Sequence, residues 1–360
     1  MKYKNVEKNV LRVYRKVSPS VINFDSNPEL DAFYTRRLKI FKTLGIPTQL
    51  FKGKTVIDIG GGTGEKSLLY ALWGANVTIV EPNEKSCAYA ESLFSQFGLQ
   101  NHLKIINKSF FEFNAAKFKE YDIVICEGVL HHTADALGAL NKISKNLKAG
   151  SIFMLAIGES HGFFKRTLQR KLVHSLAGTD EDKIVGVSRK YFKEHIARAV
   201  KYGLRPENTV IYDTYVVPQF QPVPLERICN AFRKNKVVYV SAYPKLDFFY
   251  LTNTWSHKME DPYNYQFYKD YYKFLEKIWM TSGEENLAGD LKGFDVQGMK
   301  QRVERDALQL ERLEEKIENG TFKDRDLDPI RKGYVGVGLS YFVGMKSSAQ
   351  NTLKSLKKTS

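Results

Sequence analysis

Residues 56–64, VIDIGGGTG, limit what this chain can fold into more than any other stretch. Small and branched apolar residues run through Asp58, and glycines stand at 60, 61, 62 and 64 ahead of EKSLLYALWG. The pattern predicts a buried strand, a tight turn and a helix start. Backbone without Cβ atoms can approach a nucleotide-like ligand closely there. A second strand over 76–80 ends in Glu81. An acid so placed accepts from both hydroxyls of a ribose, a spacing that equally suits a dinucleotide. The glycines read D-x-G-x-G-x-G, and Lys66 and Ser67 follow Glu65, so the third, close-packing glycine of G-x-G-x-x-G is missing.

The surrounding chain alternates as a doubly wound sheet requires. Residues 55–59, 76–81, 103–106, 121–126 and 151–157 read as strands, with helices near 65–73, 83–97 and 134–147. Right-handed crossovers make such a sheet largely parallel and gather its open strand ends on one side, where ligands bind. Gly60, Gly62, Gly64, Glu81 and Glu127 are thereby brought together.

Four stretches taken together resemble the class I S-adenosylmethionine-dependent methyltransferases. Residues 56–64 are similar to their first motif, and Glu81 to their ribose-binding acid. Residues 121–132, YDIVICEGVLHH, resemble their fourth motif, and 147–151, LKAGS, resemble the turn before their fifth strand. The resemblance spans roughly residues 50–160 and implies S-adenosylmethionine as cofactor. It places Asp58, Gly60, Gly61, Gly62, Gly64, Glu81, Pro82 and Glu127 around that cofactor. It also implies that a preceding helix, 29–44, covers the cofactor with Tyr34 and Arg37, plain core being the alternative for Tyr34. Many relatives carry an acid after the third strand for the adenine amino group. Here Ser109 stands in for it and Phe110 would cover the ring, a departure from the pattern. Relatives also finish with a sixth and a returning seventh strand, which maps to 236–242 and 338–346. The expected fold is α/β: a seven-stranded, mostly parallel, doubly wound Rossmann-like sheet with helical insertions, 245–335 being inserted into one continuous domain.

A net charge of +15 favours anionic partners, among them nucleic acid, phosphorylated or carboxylated metabolites, anionic carriers and membrane surfaces. Cys87, Cys126 and Cys229 have no metal-like spacing, which suits a reduced interior. No apolar run reaches 18 residues, and MKYKNVEKNV lacks a signal-type core. A cytoplasmic protein without stable membrane insertion is expected. Residues 1–20 carry six Lys or Arg against one Glu, with Val6, Val10, Val13 and Val17 at helical spacing and Leu11 and Tyr14 beside them. This helix packs on its own domain or touches a membrane or nucleic acid.

Residues 126–132 leave the fourth strand where the methyl donor is expected. Neutral imidazole is a usable base near pH 7. Adjacent loop histidines rarely point the same way, so one is expected at the site, with His131 placed ahead of His132. His161, beside Gly162 and beyond the fifth strand, is a second candidate for an acceptor contact. Residues 160–205 hold 11 Lys or Arg and four acids, and 161–208 read as a basic helical cap with its apolar side on the sheet edge. Residues 210–217 read as extended, and a helix follows Pro224. The stretch 248–279 holds 12 aromatic residues; Tyr268 and Tyr272 would line an acceptor pocket, a homodimer interface or local core, and His257 is its polar candidate. A charged helix over 301–320 and a basic tail over 347–360 complete the chain.

The leading function is methyl transfer to oxygen or nitrogen of a small metabolite, with anionic and carrier-bound acceptors both open. RNA methylation through the basic cap is the alternative, and a non-catalytic S-adenosylmethionine-binding protein is the third reading. No metal is expected, since Asp122, Glu127, His131 and His132 lack a ligand arrangement. The sequence has neither an Asn-Pro-Pro-Tyr segment for planar amino groups nor a Pro-Cys pair for attack on pyrimidines.

Overall fold

The apolar runs read as strands pair into one sheet. The computed structural model describes residues 3–17, 27–247, 260–281, 296–331 and 338–348. Its strands are β1 (Thr55–Ile59), β2 (Asn76–Val80), β3 (Leu103–Ile106), β4 (Ile123–Glu127), β5 (Ile152–Gly158), β6 (Val237–Tyr243) and β7 (Leu339–Lys346). They lie in the order β3-β2-β1-β4-β5-β7-β6, with β7 antiparallel to both neighbours and the other pairs parallel. Each strand edge falls within a residue or two of its expected place.

Alternate residues of a strand face opposite sides, and a sheet covered on both faces needs apolar residues at both sets of positions. Val124 and Cys126 enter one core with Phe153 and Leu155, while Ile123 and Ile125 enter the other with Met154 and Ala156. Full burial of each such large side chain contributes roughly 1.5–3 kcal/mol.

The helices preceding the sheet are α1 (Lys4–Lys16) and α2 (Asn27–Thr43). Next come α3 (Glu65–Leu72), α4 (Glu84–Gln96) and α5 (Ala136–Asn146). The side chains of Asn83 and Asp135 accept from the first-turn amides of Lys85 and Gly138, which starts α4 and α5 where they start. Beyond β5 lie α6 (Phe164–Ala177), α7 (Glu181–Gly203), α8 (Glu207–Ile211), α9 (Leu225–Lys234), α10 (Lys269–Thr281) and α11 (Val296–Glu318).

The helices α6, α7, α8 and α11 build a second layer with its own core, including Leu168, Leu172, Phe192, Tyr215, Leu310 and Leu313. The apolar side of α6 therefore meets other helices rather than the sheet edge, and Leu176 near its end is exposed. Val13 of α1 is buried in the same core, which docks the N-terminal helix on the cap. The charged insertion thus completes the cap, while α10 packs on the sheet through Tyr272 and Trp279.

Residues 210–217 are not extended. After α8, Tyr212–Val216 form a π-helical turn, closed by the Val217 amide donating to the Tyr212 carbonyl at 2.8 Å. The β-branched residues that suggested a strand, Val210, Ile211 and Val216, are all buried in the cap core. Packing there outweighs their local preference. A π turn re-aims its side chains relative to an α-helix, and this one turns Asp213 toward the sheet ends.

Candidate functional site

A cavity of about 500 Å³ lies between the carboxyl ends of β1, β2 and β4, the cap and α1. The strand-to-helix turn forms its floor. Gly60 has φ +66°, and a Cβ there would stand 2.5 Å from Val129 Cγ2; one on Gly61 would stand 2.9 Å from Ile79 Cγ2. The turn is therefore pressed against its neighbours and presents bare backbone to the cavity.

Three acids stand along this floor in different electrostatic states. Glu81 Oε2 accepts from the Gly62 amide at 3.1 Å and Oε1 from the Asn83 amide at 2.9 Å. Burial outweighs these bonds and raises its pKa to about 7. Asp58 accepts from Ser67 Oγ at 2.7 Å, and burial lifts it to about 6. Burial would raise Glu127 as well, but Arg37 and Lys66 overcome it and hold that carboxyl at about 2. Arg37 grips Glu127 through Nη1 at 3.0 Å and Nη2 at 2.6 Å, and Lys66 Nζ lies 3.0 Å from Oε2.

The two histidines divide their duties by hydrogen bonding. His131 Nδ1 accepts from the Gly158 amide at 3.3 Å, so its neutral ring carries the proton on Nε2. Burial, with His132 beside it, holds its pKa well below the usual histidine value. His132 Nδ1 lies 3.0 Å from the Gln219 carbonyl, which can only accept; Nδ1 therefore carries the proton and Nε2 is bare in the neutral ring. Nε2 faces Asp213 Oδ1 at 3.6 Å. Burial lowers the His132 pKa, with Asp213 opposing, so the ring is neutral near pH 7. Asp213 would be raised by burial, yet Arg205 and His132 bring it to about 2. Tyr14 of α1 donates to Asp213 Oδ1 at 3.2 Å, and Arg205 Nη1 donates to Oδ2 at 3.0 Å. Phe163, Phe220 and Arg166 complete this end of the cavity.

Of the residues singled out in sequence, Asp58, Gly60, Gly61, Gly62, Glu81, Pro82, Phe110, Glu127, His131 and His132 share this lining. Gly64 sits behind it as the N-cap of α3. Tyr34 accepts from Trp73 Nε1 at 3.2 Å, and its neighbour Phe33 faces the cavity instead. Arg37 is buried behind Glu127. Ser109 Oγ accepts from the Glu112 amide at 3.3 Å in a local turn away from the lining. His161 pairs with buried Glu159 at 3.0 Å and lies 3.9 Å from Glu276. Glu159 also accepts from the amides of His161, Gly162 and Leu225, which ties the end of β5 to the start of α9. Tyr268 and Tyr272 lie in or against the sheet core and not on the cavity wall, because their hydroxyls donate to the carbonyls of Glu260 and Pro262. His257 falls outside the described residues.

The lining also includes Glu7, Tyr14, Lys66, Arg166, Arg205, Asp213 and Phe220, which sequence reasoning did not assign to the site. Tyr14 had a signal, since it follows Val10 and Leu11 at helical spacing. Asp213 had none, because its orientation depends on the π turn.

A family model described as a methyltransferase domain matches residues 50–186. This core belongs to the class I S-adenosylmethionine-dependent methyltransferases. S-adenosylmethionine is the cofactor of that family. The ubiquinone biosynthesis O-methyltransferase of Paramagnetospirillum magneticum is 29% identical over 104 residues, covering 29% of this chain and 40% of the relative. An S-adenosylmethionine-dependent methyltransferase of Mesorhizobium loti is 18% identical with a TM-score of 0.28, covering 31% of this chain and 50% of that one. The YcgJ protein of Bacillus subtilis is 12% identical with a TM-score of 0.41, covering 86% and 99%. The chain thus spans less than half the length of the curated methyltransferase it matches. Among the described residues no helix is long and apolar enough to cross a membrane.

Proposed function

We propose that this protein transfers the methyl group of S-adenosylmethionine to a hydroxyl oxygen of a small-molecule acceptor. The observation that carries this reading is the bare Nε2 of His132, oriented in the cavity by the Gln219 carbonyl on Nδ1, with the Asp213 carboxylate 3.6 Å from that same Nε2. A base so oriented takes a hydroxyl proton as oxygen becomes the nucleophile, and Asp213 then stabilises the imidazolium. The curated relative carries the name of an O-methyltransferase, which accords with oxygen as the receiving atom.

The floor fits the cofactor. Each Glu81 oxygen already takes one backbone amide and retains accepting capacity for a ribose hydroxyl. The bare turn at Gly60, Gly61 and Gly62 leaves room for the cofactor, Asp58 and Lys66 line the cavity with it, and Phe110, also in the lining, would cover the adenine ring. When bound, the sulfonium supplies an activated methyl group. The protein fixes distance and angle and removes the acceptor proton.

Glu81 makes cofactor affinity depend on pH. Hydroxyl donors favour its ionised form, whereas the free protein holds it at about 7. Affinity for S-adenosylhomocysteine is therefore expected to fall as pH drops from about 8 to 6, by up to about tenfold per unit below the free-state pKa. Calorimetric titration across that range checks this, and Glu81→Gln should flatten the profile. A wild-type affinity independent of pH would remove Glu81 from the ribose site.

Transfer of labelled methyl into a cell extract, with and without nuclease, tests the acceptor class. Label in a small-molecule fraction that survives nuclease is the expected result. Nuclease-sensitive label in the large fraction would favour RNA, and cofactor binding without transfer would favour a non-catalytic protein.

A further inference from the structure

Three cap arginines stand at or just behind the end of the cavity that holds His132, and two are already committed. Arg205 donates to Asp213, and Arg170 donates through Nη1 and Nη2 to the carbonyls of Thr214 and Val217 at 2.6 and 2.8 Å. Arg166 differs. It lines the cavity with its Cζ 4.5 Å from the centre of the Phe163 ring. Its Nε is sealed from solvent without a hydrogen-bond partner, and among the described residues its guanidinium forms no hydrogen bond. Leaving a buried donor unpaired is costly, and the half-buried side chain keeps the rest of its fork open at the cavity wall. Burial accordingly pushes the Arg166 pKa down, and Asp213 offsets only part of that.

A guanidinium offers a planar fork of donors that matches an oxyanion. Resting on the methyl-transfer reading above, we propose that Arg166 is the anion anchor of the acceptor subsite. The acceptor then carries a carboxylate or phosphate monoester as well as the hydroxyl that His132 deprotonates. The rings of Phe163 and Phe220 run parallel, 5.6 Å between centroids and 5° between planes, and give this subsite an apolar wall. His131 and His132 stand against the same Phe220 ring, which places the anchor and the base in one compartment.

The test uses benzoate, phenyl phosphate and neutral benzamide as probes, titrated into the full chain saturated with S-adenosylhomocysteine. At least one of the two anions should bind about tenfold or more tighter than benzamide, the ratio expected from a charge-assisted hydrogen-bonded pair. Comparison of the two anions distinguishes carboxylate from phosphate. Arg166→Gln should erase the anion preference while S-adenosylhomocysteine affinity stays within about threefold. Arg166→Lys, which keeps the charge and loses the fork, should retain part of the preference and so exclude a folding defect. The proposal is overturned if benzamide binds as well as the anions, if no probe binds, or if the preference survives in Arg166→Gln. A larger loss of S-adenosylhomocysteine affinity in that variant also overturns it, by assigning Arg166 to the cofactor. Failure of the wild-type protein to bind S-adenosylhomocysteine at all would instead remove the methyl-transfer reading beneath it.

Discussion

Replacing His132 by asparagine is expected to lower kcat by about 10²–10⁴-fold, the range for loss of a positioned general base. Asparagine keeps a donor for the Gln219 carbonyl but supplies no basic nitrogen. S-adenosylhomocysteine affinity should stay close to wild type, because the cofactor floor is formed by other residues. The pH profile separates this role from a structural one. Burial holds the His132 pKa below its ordinary 6.5, so the wild-type rate should rise with pH through the acid range and level off by about neutrality. The variant should lose that acid limb. His131→Asn should retain it, because His131 Nδ1 is engaged by the Gly158 amide and its other nitrogen already bears a proton. Loss of the limb in His131→Asn with its retention in His132→Asn would exchange the two assignments.

Glu127→Gln is expected to destabilise the fold by about 3–5 kcal/mol, the cost of breaking a buried pair from one side. Arg37 is only 4% exposed, and its Nε already lacks a hydrogen-bond partner. Without the Glu127 charge its guanidinium remains buried with only neutral acceptors, the glutamine carbonyl and the Tyr70 hydroxyl. Acid unfolding gives an independent reading of the same pair. The Glu127 pKa is about 2 in the folded protein against 4.5 for an unperturbed glutamate, so its stabilisation is complete above about 4.5. It is lost as pH falls toward 2, an effect on the order of 3 kcal/mol. Denaturant unfolding of both proteins should show this share of the pH dependence in wild type alone. A difference below about 1 kcal/mol at neutral pH would mean that Arg37 and Lys66 are satisfied elsewhere.

The cavity floor that the proposal gives to the cofactor was legible because it depends on local sequence. A glycine turn after a buried strand and an acid ending the next strand lie in register along neighbouring β1 and β2. The cap end of the cavity, where the acceptor is proposed to bind, was largely not legible, for a different reason. Asp213 reaches the cavity through a π turn that interrupts a run of β-branched residues, and local preference reads that run as a strand. Arg166 and Arg170 fell within the expected basic helical cap without being singled out, and tertiary packing turns them toward Phe163 and Phe220. On α2 the helical period brought the right face, but Phe33 lines the cavity while Tyr34 turns to Trp73. Among the described residues the aromatic insertion supplies core, since Tyr263, Tyr265 and Tyr272 fill the space against the sheet.

The central claim, methyl transfer from S-adenosylmethionine to a hydroxyl of a small molecule through His132, is tested most directly by finding the atom that receives the methyl. Isotopically labelled S-adenosylmethionine, the purified protein and the reactive small-molecule fraction of an extract would be combined, and the labelled product examined by carbon NMR. A methyl ether resonance that forms with the wild-type protein and is nearly absent with His132→Asn is the predicted result. A methyl carried on nitrogen or carbon, or a methyl ether formed equally fast by His132→Asn, would contradict it.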